Sequence, residues 1–326
     1  MIATRTPFRV SFVGGGTDLP AFYRRHPGAV ISTTIDKYMY IFVHEFFYNQ
    51  IQLKYSQTEL ATDYDDIQHP IAREILRRFL RNGGLDVNSV ADVPSGTGMG
   101  SSSTYTVGLL RAMYAYHGMA ADDDLVAQEA CRIEIDVLGS PIGKQDQYAA
   151  VFGGLNIIRF HEDDSVSVEP VVLHDPGLLE DHMLLFHVGK RRDANEVLHD
   201  QSKRTTEDHQ VYEHLCEMAR LPDEFAESLR TGDIQNCGRL LDENWRLKQK
   251  LSTRIHNDEV DHYYNVAKKC GAIGGKLLGA GGSGFFLVLA PVDTHTTIRS
   301  SLQELRELPV KLDTVGSTVL TLGEET

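Results

Sequence analysis

Eleven consecutive residues restrict this chain more than any others: Pro94-Ser95-Gly96-Thr97-Gly98-Met99-Gly100-Ser101-Ser102-Ser103-Thr104. Glycines at 96, 98 and 100 free the backbone for close approach to a bulky ligand. The serines and threonine then open a segment whose apolar residues Val107, Leu110 and Met113 recur at helical spacing, predicting a helix over about 102–117. A helix N-terminus carries unpaired N–H groups and the positive end of the helix dipole, which together hold phosphate. A serine hydroxyl there can also ligate magnesium. No lysine follows the last glycine, so the loop is not a Walker A sequence. Taken alone it is equally compatible with an ordinary turn and a serine N-cap.

The chain around this loop reads as α+β. At 326 residues it exceeds the usual single domain, so two packed domains are expected. Strands are predicted over 4–13, where Phe8, Val10 and Phe12 alternate, and over 38–47, 155–160 and 183–188. Helices are predicted over 69–80, closed by Asn82-Gly83-Gly84, and over 122–138, with an acidic first turn and an end at Gly139. Residues 194–251 are strongly helical. They are followed by a helix near 258–270, a strand over 285–290, a helix near 293–306 and a final strand pair. That order suggests a ferredoxin-like second domain, with the boundary near residue 180. There is no internal repeat and no low-complexity linker.

Composition removes several function classes. No run of eighteen apolar residues exists to span a membrane as a helix. The start carries a proline, two arginines and several glycines where a secretory signal needs an apolar stretch, so a cytoplasmic location is expected. Lys plus Arg number 32 against 46 Asp plus Glu, a formal charge of −14 that disfavours nucleic acid as a partner. Cys131, Cys216, Cys237 and Cys270 are widely spaced without a CxxC pair, as expected of reduced thiols rather than a zinc site.

Two carboxylates stand out. On the helix predicted over 122–138, Val126, Ala130, Ile133 and Val137 form the packing face, and Glu134 lies on or beside it. A carboxylate against an apolar stripe needs a compensating cation, either a basic side chain or a hard metal such as magnesium. Asp146 lies in Gly143-Lys144-Gln145-Asp146-Gln147, in an early turn of a helix for which Ser140-Pro141 is a plausible cap and first-turn proline. From its position alone it complements the helix dipole, with Lys144 or Arg9 as a neighbour able to keep it ionised.

Three segments in order resemble the GHMP kinases, the superfamily of galactokinase, homoserine kinase and mevalonate kinase. Pro94–Ser103 is similar to the PxxxGxGSS signature, Arg5–Asp18 to the first motif, and Gly279-Ala280-Gly281-Gly282-Ser283-Gly284 to the third. The resemblance implies an α+β two-domain fold: a ribosomal protein S5 domain 2-like N-terminal domain over 1–180 and a ferredoxin-like C-terminal domain over 181–326. It implies ATP held by Pro94, Gly96, Gly98, Gly100, Ser101, Ser102 and Ser103, and Mg2+ ligated by Ser102 and Glu134. It also implies Asp146 as the base that takes the acceptor's proton, with Arg9 beside it. Asp18, Gly15, Gly16, Gly281 and Gly282 are implied on the substrate side.

Where galactokinase and mevalonate kinase have Gly-Glu-His, this chain has Gly14-Gly15-Gly16, which favours the branch of fucose and heptose 7-phosphate kinases. The chain's length suits the stand-alone heptose kinases of that branch, and the resemblance to them implies D-glycero-alpha-D-manno-heptose 7-phosphate as substrate, phosphorylated at the anomeric hydroxyl to the 1,7-bisphosphate. Its distal phosphate calls for a second anion site. Lys190-Arg191-Arg192 is the strongest basic cluster and is assigned to that phosphate, although a solvated basic turn carries equal weight. Alternatives are a GHMP kinase for another sugar such as L-fucose, or an inactive sugar or nucleotide sensor on the same fold. A Rossmann dehydrogenase fails, because neither glycine segment has GxGxxG opening a βαβ unit with an acidic residue about twenty positions on. Trp245, with Asn244 and Lys248, is a weaker candidate for the sugar pocket, and the polar loop 49–66 a candidate lid.

Overall fold

In the computed structural model, residues 1–80, 83–175, 177–189 and 194–320 are described. Strand β1 (Ile2–Val13) leads through the short helix α1 (Pro20–Tyr23) into β2 (Gly28–Glu45), an 18-residue strand that organises the first sheet. The sequence pattern places the start of this strand only at Tyr38. Its first ten residues escape the pattern because Ala29–Ile35 are buried on both faces, which erases the period-two signal. Next come β3 (Ile51–Lys54), β4 (Thr58–Ala61), α2 (Pro70–Phe79) and β5 (Leu85–Ala91). The expected lid at 49–66 is therefore mostly an edge hairpin, β3 against β4. His69 caps α2 by accepting from Ala72 N–H, and Pro70 supplies the preset first turn.

Helix α3 (Ser101–Tyr116) lies against β1 and β2, and α4 (Asp123–Cys131) is capped by Asp122. The predicted helix does not run to 138 as an α-helix. Residues Arg132–Val137 widen into a π-turn, closed by Leu138 N–H donating to Ile133 C=O at 3.0 Å. One extra residue in the turn rotates the next side chains off the packing face. Val137, expected inside, is 45% exposed. Helix α5 (Gln145–Phe152) begins four residues after Pro141, with Lys144 at its N-cap, so Ser140-Pro141 is not its cap.

The first half ends with β6 (Leu155–Phe160), β7 (Val166–Pro170) and α6 (Gly177–His182). The second half opens on β8 (Met183–Val188), then α7 (Ala194–Glu207), α8 (His209–Thr231) and α9 (Ile234–Leu251). Asp208 and Asp233 cap α8 and α9, and Gly232 turns the chain between them in the left-handed region. Helix α10 (Asp258–Lys269), β9 (Gly274–Leu277), β10 (Gly284–Leu289), α11 (His295–Ser301) and β11 (Arg306–Glu307) complete this half. Helix α11 is shorter than predicted, because a 3-10 turn over Val292–Thr294 precedes it and residues 306–307 pair as strand. The second sheet has the antiparallel order β11-β8-β10-β9.

The final pair, β12 (Leu312–Asp313) and β13 (Thr318–Leu320), is expected from its position to join the second half but pairs with β2 and β1. Side chains fix that return: Thr34 Oγ1 donates to Asp313 C=O at 2.7 Å, and the Thr6 and Ser317 hydroxyls bond at 2.7 Å. Including them, the first sheet has nine strands.

The two halves meet around the C-terminal end of β1. Phe12 stacks on Phe225 of α8 with ring centroids 5.2 Å apart, and Gly14 N–H donates to Asn244 of α9 at 2.9 Å. The buried Lys276 ammonium donates to the carbonyls of Ser11 and Phe12 at 3.0 and 2.9 Å. Trp245, fully buried, belongs to this core and lines no part of the cleft at the seam.

Candidate active site

A cleft of about 1110 Å³ opens where the two halves meet. One wall is the glycine loop. Gly96, Gly98 and Gly100 all adopt left-handed backbone, with φ of 77°, 79° and 78°. Gly100 stands at the N-cap of α3 and supplies no side-chain cap to the first N–H groups of the helix. Pro94, Gly96, Gly98, Gly100, Ser101 and Ser102 line the cleft, whereas Ser103 is buried behind them.

The second glycine segment closes on the first, backbone to backbone. A Cβ on Gly98 would stand 2.4 Å from Leu278 C=O, and one on Gly279 would stand 2.3 Å from Gly98 Cα. Phe285 N–H donates across the seam to Thr97 C=O at 3.2 Å. Of this segment Gly279 and Ala280 line the cleft. Gly281 and Gly282 stand behind them, packed on Ile255 and held by Gly282 N–H to Ile255 C=O and by Asn257 Nδ2 to Gly282 C=O.

The floor carries the charges. Arg9 is buried and donates through Nε to Asp146 Oδ1 at 2.8 Å, with a second guanidinium nitrogen 2.7 Å from the same oxygen. Its third contact, 2.6 Å to Gly98 C=O, ties the carboxylate pair to the glycine loop. Lys144 points elsewhere, to Asp164. Gly15, Gly16 and Asp18 also line the cleft. Asp18 Oδ1 accepts from Gly16 N–H at 2.9 Å, and burial together with repulsion from Asp146 raises its carboxyl above the usual range.

Glu134 lies beneath this floor, 2% exposed. Gln147 donates to it at 2.8 Å, yet burial pushes its carboxyl up to about 7, with Gln147 and the hydroxyls of Ser102 and Ser103 partly offsetting that rise. No basic side chain pairs with it among the described residues. A hard cation between Ser102, Glu134 and phosphate oxygens suits this donor set, since magnesium keeps few protein ligands. A cage made by protein alone is absent: no group of three His, Cys, Asp or Glu able to hold a metal occurs among the described residues.

Three further features carry little or no weight in the sequence. Lys248 and Lys276 both line the cleft and are buried. Burial lowers the Lys248 ammonium to about 8, with Arg9 adding to the effect and Asp18 and Asp146 opposing it. A signal for Lys248 does exist, since it continues the apolar stripe of Leu241 and Trp245 on α9. At the far end, Tyr55, His69 and Tyr105 form an aromatic face, with ring centroids 4.8 and 4.7 Å apart. Tyr55 belongs to the β3–β4 hairpin, so the segment expected as a lid contributes a wall. Such a face accepts a planar heteroaromatic ring. Lys190, Arg191 and Arg192 lie outside the described residues.

Known proteins share this architecture. The GHMP kinases N terminal domain matches residues 67–154, and the GHMP kinases C terminal domain residues 225–307. D-glycero-alpha-D-manno-heptose 7-phosphate kinase of Campylobacter jejuni is 29% identical over 318 residues, covering 93% of this chain and 94% of that protein. Galactokinase of Pyrococcus furiosus is 24% identical, covering 95% and 94%. A crystal structure of a D-glycero-D-manno-heptose 1-phosphate kinase from Bacteroides thetaiotaomicron superposes with a TM-score of 0.80 at 22% identity, covering 99% of this chain and 100% of that one. No described helix is long and apolar enough to cross a membrane. With both family domains in order around one cleft, the chain belongs to the GHMP kinase family, ATP-dependent phosphotransferases that act on an alcohol group.

Proposed function

We propose that this protein phosphorylates the anomeric hydroxyl of D-glycero-alpha-D-manno-heptose 7-phosphate, giving the 1,7-bisphosphate. The observation that carries the chemistry is the Arg9–Asp146 pair, tied to the glycine loop through Gly98 C=O. The observation that favours the sugar is the likeness to the Campylobacter jejuni heptose 7-phosphate kinase over nearly the whole chain.

Asp146 accepts the proton of the acceptor hydroxyl, and Arg9 fixes the carboxylate's orientation. The acceptor oxygen bonds to the γ-phosphorus while the bond to the β-phosphate oxygen breaks, its electron pair leaving with ADP. Pro94, Gly96, Gly98, Gly100 and Ser101–Ser103 hold the phosphates through loop backbone and the start of α3. Ser102 and Glu134 hold Mg2+, which neutralises phosphate charge when bound. Asp18, Gly15 and Gly16 contact the sugar, with Lys190, Arg191 and Arg192 proposed for its distal phosphate. Residues 1–180 supply the phosphate loop and base, and 181–326 the opposing wall, in a cytoplasmic enzyme.

The test is ATP turnover with magnesium against the heptose 7-phosphate, L-fucose, mannose and galactose, with Asp146→Ala as control. Turnover on the heptose phosphate alone, abolished in the control, is expected. Turnover on L-fucose alone transfers the reading to another sugar, and none on any sugar with ATP still bound favours a sensor.

A further inference from the structure

We propose that Lys248 is a catalytic residue of the kinase reaction, its ammonium contacting the phosphoryl group as it passes from ATP to the acceptor. The inference rests on the kinase reading but not on which sugar is phosphorylated.

Lys248 is 5% exposed and lines the cleft. One of its three donors goes to Gly279 C=O. No carboxylate stands within ion-pair distance of it among the described residues. The nearby acids are otherwise engaged: Asp146 is paired with Arg9, and Asp18 is held by Gly16 N–H. A buried ammonium with no counter-charge is costly unless an anion completes it. The cleft is open to Lys248, so that anion is delivered by a ligand.

The contacts of Lys248 say which anion. Its Gly279 partner abuts Gly98, Gly98 C=O accepts from Arg9, and Arg9 holds Asp146. The ammonium therefore stands where the phosphate loop, the opposing glycine segment and the base converge. Negative charge at that point belongs to the transferring phosphoryl oxygens, on which it is spread in the transition state. A phosphate remote from the reacting hydroxyl lies away from this junction. Lys248 exchanges no proton in the step; it adds a fixed positive charge at this junction.

Lys276, from β9, holds the arrangement open. Its ammonium is committed to the carbonyls of Ser11 and Phe12, locking β9 to β1 two residues past Arg9. The groups facing Lys248 are thus Arg9, Asp18, Asp146 and Lys276.

The experiment compares Lys248→Met and Lys248→Arg with wild type on whichever sugar wild type turns over. Lys248→Met is expected to lower kcat at least about 10²-fold, the typical cost of one preorganised donor, with KM for ATP and sugar little changed. Lys248→Arg should recover part of the loss. A second reading uses no turnover: calorimetric binding of ADP-Mg2+ with sugar, then with aluminium fluoride added. Wild type should tighten with the fluoride, and Lys248→Met should bind ADP normally yet lose that gain. The Lys248 ammonium sits at about 8, so wild-type kcat/KM should fall above that pH and the fall should move upward in Lys248→Arg. Unchanged kcat in Lys248→Met overturns the proposal. So does a raised sugar KM at constant kcat, which would reassign Lys248 to the sugar's own phosphate. A lower thermal midpoint with loss of ADP binding would make it structural. Absence of turnover by wild type on every sugar counts against the functional reading instead, leaving the fluoride experiment to judge Lys248.

Discussion

Replacing Gly98 by alanine tests whether the seam between the two glycine segments is what holds the cleft together. Two costs add. The residue sits at φ +79°, where a Cβ strains the backbone by about 1–2 kcal/mol. The new methyl would also lie 2.4 Å from Leu278 C=O and 2.7 Å from its carbon. Both are backbone atoms, so no rotamer change relieves the overlap. The loops must part by roughly 1 Å to reach ordinary contact, and the Phe285 N–H to Thr97 C=O bond across the seam is the first to stretch. Losing it adds about 1 kcal/mol, so the total is roughly 2–3 kcal/mol. Gly118→Ala supplies the control, since that residue has φ +64° with nothing within 4 Å of the added carbon. Its cost is the backbone strain alone. Differential scanning calorimetry should place Gly98→Ala below Gly118→Ala, and kcat/KM should fall about 10²-fold only in Gly98→Ala, as a 1 Å displacement of the phosphate loop predicts. Equal midpoints and equal turnover for the two variants would refute the seam argument.

The floor of the cleft gives two further outcomes. Asp146→Asn keeps the shape but removes the proton acceptor, so kcat should fall about 10²–10⁴-fold while calorimetric ATP affinity stays near wild type; retained turnover would remove Asp146 from the base role. For Glu134 the sign is fixed by its carboxyl, raised from 4.5 to about 7 in the folded chain. The folded state holds this proton more tightly than the unfolded one, so the group's contribution is full below 4.5 and is lost as pH rises through 7. The loss is on the order of 3 kcal/mol. Glu134→Gln should remove that dependence from thermal unfolding between pH 4.5 and 7.5. It should also abolish the rise in Mg2+-nucleotide affinity that ionisation of Glu134 gives wild type over the same range. Parallel pH curves for variant and wild type would show that Glu134 neither titrates here nor holds the metal.

Whether a feature is legible in the sequence depends on how local its cause is. The glycine loop and Arg9 are legible because their cues are local, glycine spacing and a strand's alternation being written in consecutive residues. The start of the helix that carries Asp146 is not, since Ser140-Pro141 is not its cap. The structure brings Arg9 and Asp146 into direct contact at 2.8 Å, a relation that no spacing along the chain could state. Glu134 is readable as a carboxylate near an apolar face. The π-turn that carries it is not, because a 5-residue hydrogen-bond step has no residue signature, and Val137 is misplaced as a result.

Tertiary commitments account for the rest. Strands β12 and β13 are too short to announce their partners, and they join the first sheet because Thr6, Thr34 and Tyr38 offer hydroxyls to that segment. Gly279 lines the cleft because it abuts Gly98 across the seam, whereas Gly281 and Gly282 sit behind it, held by Ile255 and Asn257. Lys248 and Lys276 illustrate the same limit from the opposite side. A lysine on an apolar helical stripe or inside an all-buried strand contradicts its neighbours, and such contradictions mark function more often than error. In Lys276 the contradiction resolves inside the protein, through two carbonyls of β1. For Lys248 only one carbonyl answers among the described residues, which is why it carries the proposal and Lys276 does not.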